Sequence, residues 1–186
     1  MAERADMGVS PAAHDPAWAV AFAEQRDRLA VLLAPWLAAP VEHVGSTAVP
    51  GLRAKPVVDV LAPVRSLDSE ARAAMVRVLS AGGWLYWPDD PRGDTRLWFL
   101  RPRPEARTHH LHVAVHGGAR ATALLAFRDA LRADPSLAAE YERLKSRLAR
   151  ENPTARNAYT NGKAEFVARV LRAAGIARPV LEELPE

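Results

Sequence analysis

Apolar residues recur along this 186-residue chain in two periods, and the switches between them divide it into elements. Trp18, Phe22, Leu29, Leu32 and Leu33 repeat at helical spacing up to Ala34. Asp15 followed by Pro16 reads as an N-cap with proline at the first helical position, and Pro35 ends or bends the helix. A short apolar run, Val41 to Val44, then stops at Gly45-Ser46, and a β-branched run begins at Val57, which reads as strand, loop and strand. Ser66 to Ala81 is helical in period: Leu67, Ala71, Ala74, Met75, Val78 and Leu79 form the buried face. Ser66 with Ser69-Glu70 supplies the start and Gly82-Gly83 the stop. Trp84 to Trp87 reads as a short strand, and residues 88–94 as a polar loop. Thr95 to Arg101 is a further strand, with Leu97 and Phe99 on one side and Arg96, Trp98 and Leu100 on the other. From Arg107 to His116, His110, His112 and Ala114 alternate with Leu111, Val113 and Val115, the mark of a strand with two unlike faces. After Ala119 the period is helical to the end, and Pro135 and Pro153 cut it into three helices.

The order helix, strand, strand, helix, strands, helices predicts an α+β fold: a mixed β-sheet flanked by helices, with a C-terminal run of three helices. Residues 1–13 have no period and read as a flexible N-terminal tail, leaving residues 14–186 as a single domain without internal repeats. A chain of this length buries roughly 70% of the surface its unfolded form exposes, enough for one core. The absence of cysteine excludes a disulfide framework, a thiolate metal site and a cysteine nucleophile, and suits a reducing cytoplasm, the expected location. The net charge of +3 and the isoelectric point near 9.7 reflect arginines spread along amphipathic segments. That pattern allows binding of anions and specifies no nucleic acid. No apolar stretch is long enough to cross a bilayer, so no membrane association is expected.

The candidate chemistry gathers around the first strand pair. Gly45 allows close backbone approach to a bound group, Ser46 and Thr47 offer hydroxyls, and free N–H groups in such a turn make an anion nest. Asp59 lies among Val57, Val58, Val60 and Leu61, where a charge needs a cation, a donor or open solvent. Lys55 and Lys163 are candidate cations for an anionic ligand. Arg53 reads more simply as an exposed turn residue. Tyr159 and Lys163, four apart on a helix, share a face. His110 and His112 project from one face of their strand. If that face meets Asp59, the three form a two-histidine, one-carboxylate set suited to Zn, Mn, Fe or Ni more than to Mg, with His43 as a fourth candidate ligand. Two histidines at i and i+2 are nevertheless more often members of a polar network than ligands. Arg128 and Asp129 are adjacent on a helix and are expected to point apart.

The stretch from Val41 to Leu61 resembles the signature of the GrpB-like family (UPF0157). So do His14-Asp15-Pro16-Ala17-Trp18, Thr108-His109-His110-Leu111-His112-Val113, Phe127-Arg128-Asp129-Ala130-Leu131-Arg132 and Tyr159-Thr160-Asn161-Gly162-Lys163, in the family's order. The resemblance implies a nucleotidyltransferase-like fold related to the polymerase-beta superfamily. There a Gly-Ser turn holds a triphosphate, and carboxylates one residue apart hold divalent metal ions, here Mg, Mn or Zn. Gly45-Ser46 and Asp59 match that pattern, but the partner position is Leu61. The expectation is therefore a cleft for a small anionic ligand, a nucleotide or phosphorylated metabolite. Asp59 and His112 are the catalytic candidates. Gly45, Ser46, Thr47, Lys55, Tyr159 and Lys163 are the ligand contacts, and Asp59, His110, His112 and His43 the metal ligands. One alternative is a non-catalytic sensing or regulatory module, since relatives of this domain occur fused to dephospho-coenzyme A kinase. The other is a metal-dependent small-molecule enzyme using Asp59, His110 and His112.

Overall fold

A computed structural model of the chain describes residues 11–90, 93–152 and 156–176. Five strands form one mixed sheet: β1 (Glu42–Val44), β2 (Val58–Val64), β3 (Leu85–Tyr86), β4 (Arg96–Arg101) and β5 (His109–Val115). Their spatial order is β1-β2-β5-β4-β3, with β2 and β5 parallel and the other pairs antiparallel. The parallel pair at the centre requires a crossover, and the chain between β2 and β5 supplies α2 (Ser69–Ala81) together with β3 and β4.

The alternation along each strand separates two faces. One presents Val58, Val60, Val64, Leu97, Phe99, Leu111 and Val113, which pack with Trp18, Leu29 and Leu33 of the first helical region and with Met75 and Leu79 of α2. Helix α1 (Ala17–Leu32) starts as the sequence predicts, with the Asp15 carboxylate accepting from the Ala17 N–H at 2.9 Å. In α2 the cap is Asp68 rather than Ser66: its carboxylate accepts from the Ala71 N–H, and the Ser66 hydroxyl donates to it at 2.8 Å. Aspartate reaches the first-turn donors while serine braces it.

The other face carries Val44, Leu61 and Ala114, covered by Ala121 and Leu124 of α3 (Ala119–Ala133). Beyond that patch the same face turns polar, with Asp59, His110, His112, Arg96 and Trp98. Helices α4 (Pro135–Glu151), α5 (Arg156–Asn161) and α6 (Ala164–Ala173) complete the chain. The expected third C-terminal helix is interrupted at Gly162, where a Cβ would lie 2.5 Å from Leu148 Cδ2, so only glycine lets the two segments pack. Tyr141, Phe166 and Val170 from these helices pack on Val49 and Leu52 of the loop after β1, which fixes the C-terminal helices against the Gly45-Ser46 turn.

Of the tail assigned to residues 1–13, the first ten lie outside the described residues. The remainder is tied down: Ala12 pairs with Ala54 through two backbone hydrogen bonds of 2.8 and 3.0 Å, and Arg53 donates to the Pro11 carbonyl. Arg128 and Asp129 also depart from expectation. The long guanidinium stem curls back so that Nε donates to the neighbouring carboxylate at 2.8 Å, while the same group reaches Glu42 Oε2 at 2.7 Å and the His43 carbonyl at 2.9 Å. Arg128 thereby ties α3 to β1.

Candidate functional site: a polar cleft beside the Gly45-Ser46 turn

Gly45 ends β1 with φ +71° and ψ −171°, a conformation open essentially to glycine alone. A Cβ there would collide with Asp59 Oδ2 and lie 3.0 Å from Asp59 Cβ and Cγ. The absent side chain is the space into which the carboxylate fits. The following 3₁₀ turn, Ser46–Ala48, splits its hydroxyls. Ser46 turns toward the hydroxyl of Tyr141 on α4. Thr47 turns inward, bonding His43 Nε2 at 3.0 Å and the Val57 carbonyl at 3.4 Å.

Parallel pairing places Asp59 directly beside His110. Its Oδ1 lies 3.0 Å from His110 Nδ1 and 3.6 Å from His112 Nε2. Burial opposes ionisation of Asp59, but these two imidazoles outweigh it and hold its pKa below the ordinary carboxylate value. The carboxylate is thus the acceptor and His110 Nδ1–H the donor. His112 is set from its other side. Arg96 NH1 lies 3.2 Å from His112 Nδ1, and a guanidinium can only donate, so Nδ1 carries the lone pair and Nε2 the proton. Burial is the main cause that pushes His112 down to about 3, with Arg96 and Arg120 adding to it against Asp59, so the ring is neutral at neutral pH. Arg96 is itself held by Asp90, Nε to Oδ2 at 2.5 Å and NH2 to Oδ1 at 2.9 Å. Hydrogen bonds therefore run from Asp90 through Arg96 to His112 and from Asp59 to His110, and the two runs face each other across the 3.6 Å between His112 Nε2 and Asp59 Oδ1.

In the arrangement present these side chains are turned on one another: the His112 nitrogen that faces Asp59 bears a proton, and Oδ1 lies between two imidazoles, bonded to His110 and 3.6 Å from His112. Among the described residues no group of three or more His, Asp and Glu side chains is placed to hold a metal. His43 stands apart: it pairs with Val60, on the opposite face of the sheet from Asp59, and stacks on Phe22 at 4.7 Å. Burial lowers its pKa to about 4.

The wall facing the turn comes from the C-terminal helices. Tyr141 and Tyr159 are buried, and burial raises both phenols. The Lys163 ammonium lies 4.6 Å from the centre of the Tyr159 ring. The two thus meet as the sequence implies, even though the helix breaks between them. Lys145 is only 3% exposed. Its Nζ donates to the Arg53 carbonyl at 2.5 Å and sits 4.8 Å from the centre of the Tyr141 ring. Burial, with the nearby Lys163 charge second, lowers it to about 7. Lys55 is half-buried on the loop before β2. Lys145 is the residue sequence reasoning missed. Its signal was positional: a lysine four after Tyr141 and three before Leu148, inside the apolar stripe of α4. An open groove of about 780 Å³ between α4 and α6, lined by arginines such as Arg143, Arg147 and Arg169, contains none of the cleft residues.

A mixed five-stranded sheet with helices packed on both faces and a C-terminal run of helices defines the class, an α+β protein. Residues 9–173 match the family model described as GrpB protein, and the chain belongs to that family. It is 43% identical over 162 residues to a UPF0157 protein of Pseudomonas aeruginosa, covering 84% of this chain and 64% of that protein. It is 37% identical over 150 residues to the UPF0157 protein YqkA of Bacillus subtilis, covering 81% of this chain and 42% of that one. The chain thus spans less than two thirds of either relative's length. The crystal structure of the conserved protein GrpB from Enterococcus faecalis superposes with a TM-score of 0.77 at 28% identity, covering 94% of this chain and 98% of the other. Among the described residues no helix is long and apolar enough to cross a membrane.

Proposed function

We propose that the protein binds a small phosphorylated ligand, a nucleotide or phosphorylated metabolite, between the Gly45-Ser46 turn and the C-terminal helices. The observation that carries the reading is the pair Lys145 and Lys163. Two ammonium groups near enough to repel each other, one of them almost wholly buried, lie over the rings of Tyr141 and Tyr159, and Tyr141 reaches Ser46. A buried ammonium is costly to keep charged, and the Glu142 carboxylate nearby only partly offsets the burial of Lys145, so an added anion at this place would be stabilised. Ser46 and the Tyr141 hydroxyl add neutral hydrogen-bonding groups at the same place. The likeness of Gly45-Ser46 and Asp59 to a nucleotidyltransferase turn and carboxylate supports a nucleotide as the ligand.

The expected result is saturable heat on calorimetric titration with pyrophosphate or a nucleoside triphosphate, at least ten times weaker in Lys145→Met, an order-of-magnitude figure for losing one charge-assisted hydrogen bond. Absence of binding by inorganic phosphate, pyrophosphate and all four ribonucleoside triphosphates would sink the reading. A second reading, binding without turnover, is favoured by Leu61, which stands where a second carboxylate would be and is fully buried against α3. Release of pyrophosphate by the purified protein, lost in Asp59→Asn, would decide for an enzyme against a sensing module.

A further inference from the structure

The polar chain ends on two nitrogens without partners. His110 Nε2 and Trp98 Nε1 are buried and make no hydrogen bond, and their rings meet edge to face with centroids 5.4 Å apart. Buried polar atoms are nearly always paired in native proteins, so two orphans on adjacent rings call for an explanation. Their chemistry is complementary. An indole N–H can only donate. His110 donates its Nδ1–H to Asp59, so in the neutral ring Nε2 is an acceptor. A hydroxyl, on a ligand as on a water, accepts a hydrogen bond from an indole and donates one to an imidazole at the same time.

We propose that His110 Nε2 and Trp98 Nε1 form a hydroxyl-recognising subsite, with Asp59, His112 and Arg96 as the residues that position it. The ligand class this assigns is a phosphate monoester that also carries a free alcohol, which deepens and rests on the anion-binding reading above. The alcohol oxygen accepts from Trp98, and its proton lies toward His110. Asp59 takes the Nδ1–H of His110, which leaves Nε2 as the acceptor of the neutral ring. Arg96 fixes the tautomer in which His112 turns its Nε2–H toward Asp59, at 3.6 Å. The other orphaned ring nitrogens, on His14 and His109, belong elsewhere: His14 packs edge-on against Trp18, and His109 lies against Trp84 on the opposite sheet face.

The test has two parts, both on the full chain. In the ligand-free protein, long-range ¹H–¹⁵N NMR of histidine-labelled samples should find His110 protonated at Nδ1 only and His112 at Nε2 only. Arg96→Met should release His112 into a mixture of tautomers while circular dichroism stays native. A His110 proton on Nε2 overturns the proposal whatever binds. The second part compares glycerol 3-phosphate with propyl phosphate, which lacks the hydroxyls, using inorganic phosphate as the reference for the anion site. Glycerol 3-phosphate should bind about ten-fold more tightly, the order expected for two hydrogen bonds to buried groups, and should shift the His110 Nε2 resonance. Trp98→Phe, which keeps the ring and removes the N–H, should bring the preference below about three-fold. Equal affinity for the two monoesters overturns the hydroxyl subsite alone. Failure of phosphate and both monoesters to bind overturns the anion reading beneath it, with the tautomer result still standing on its own.

Discussion

Replacing Gly45 by alanine tests the geometry on which the cleft is built. Two penalties fall on that one methyl group. The backbone at φ +71° and ψ −171° is a glycine conformation, and holding alanine there costs about 1–3 kcal/mol. The new Cβ would collide with Asp59 Oδ2 and crowd Asp59 Cβ and Cγ at 3.0 Å. Asp59 cannot step aside cheaply, because its Cβ is fixed on a central strand and its Oδ1 is bonded to His110. Rotating the carboxylate away forfeits a hydrogen bond to a charged group, about 1.5–3 kcal/mol. The sum, about 2.5–6 kcal/mol, is a large part of the ~5–15 kcal/mol that holds an ordinary domain together. It corresponds to a fall in Tm of roughly 10 °C for a chain of this size. Gly117 supplies the control. It has the same φ, +71°, but a Cβ there meets nothing within 4 Å, so Gly117→Ala carries the backbone penalty without the collision. Urea unfolding followed by tryptophan fluorescence measures both. If the two variants lose the same stability, or Gly45→Ala loses less than about 1 kcal/mol, the packing of Asp59 into the glycine space is wrong.

Acid should unfold the protein through its buried imidazoles. His43 and His112 have folded pKa values lowered from 6.5 to about 4 and about 3, so the unfolded chain takes up protons first. The stability they contribute is complete above pH 6.5 and is lost as pH falls toward 4 and 3, by roughly 1.4 kcal/mol per unit for each group. Urea midpoints that stay flat between pH 6.5 and 4 would contradict this. Lys145 acts at the other end: its folded value near 7 lies below the unfolded 10.5, so stability rises as pH increases from about 7 toward 10.5, and Lys145→Met should flatten that rise in the same unfolding series. Arg128→Ala removes the group that joins α3 to Glu42 and the His43 carbonyl, and because the carboxylates left behind are solvated a loss of about 1–3 kcal/mol is expected in chemical denaturation.

Much of the architecture was legible because it depends on residues close together in the chain. Alternation along residues 96–101 and 109–115 is a period-two signal that neighbouring side chains carry by themselves, and it placed His110 and His112 on one face and Leu97 and Phe99 on another correctly. A glycine at position 45 followed by serine, and a lone carboxylate at position 59 among β-branched residues, marked the two sides of the cleft for the same local reason. What the residues at positions 110 and 112 do was not legible, since a histidine's donor and acceptor are set by what lies across the sheet. Arg96, 16 positions from His112, decides which nitrogen of His112 holds the proton, and so which nitrogen faces Asp59. Lys145 was hidden in the same way: its stripe said core, and only the folding of α4 over the Gly45-Ser46 turn made a buried ammonium into the wall of a cleft. Sequence determined periods, turns and the polar residues available, because those follow from local sterics and burial. Tertiary structure alone decided protonation and pairing, because these depend on distances between segments that the chain order does not contain.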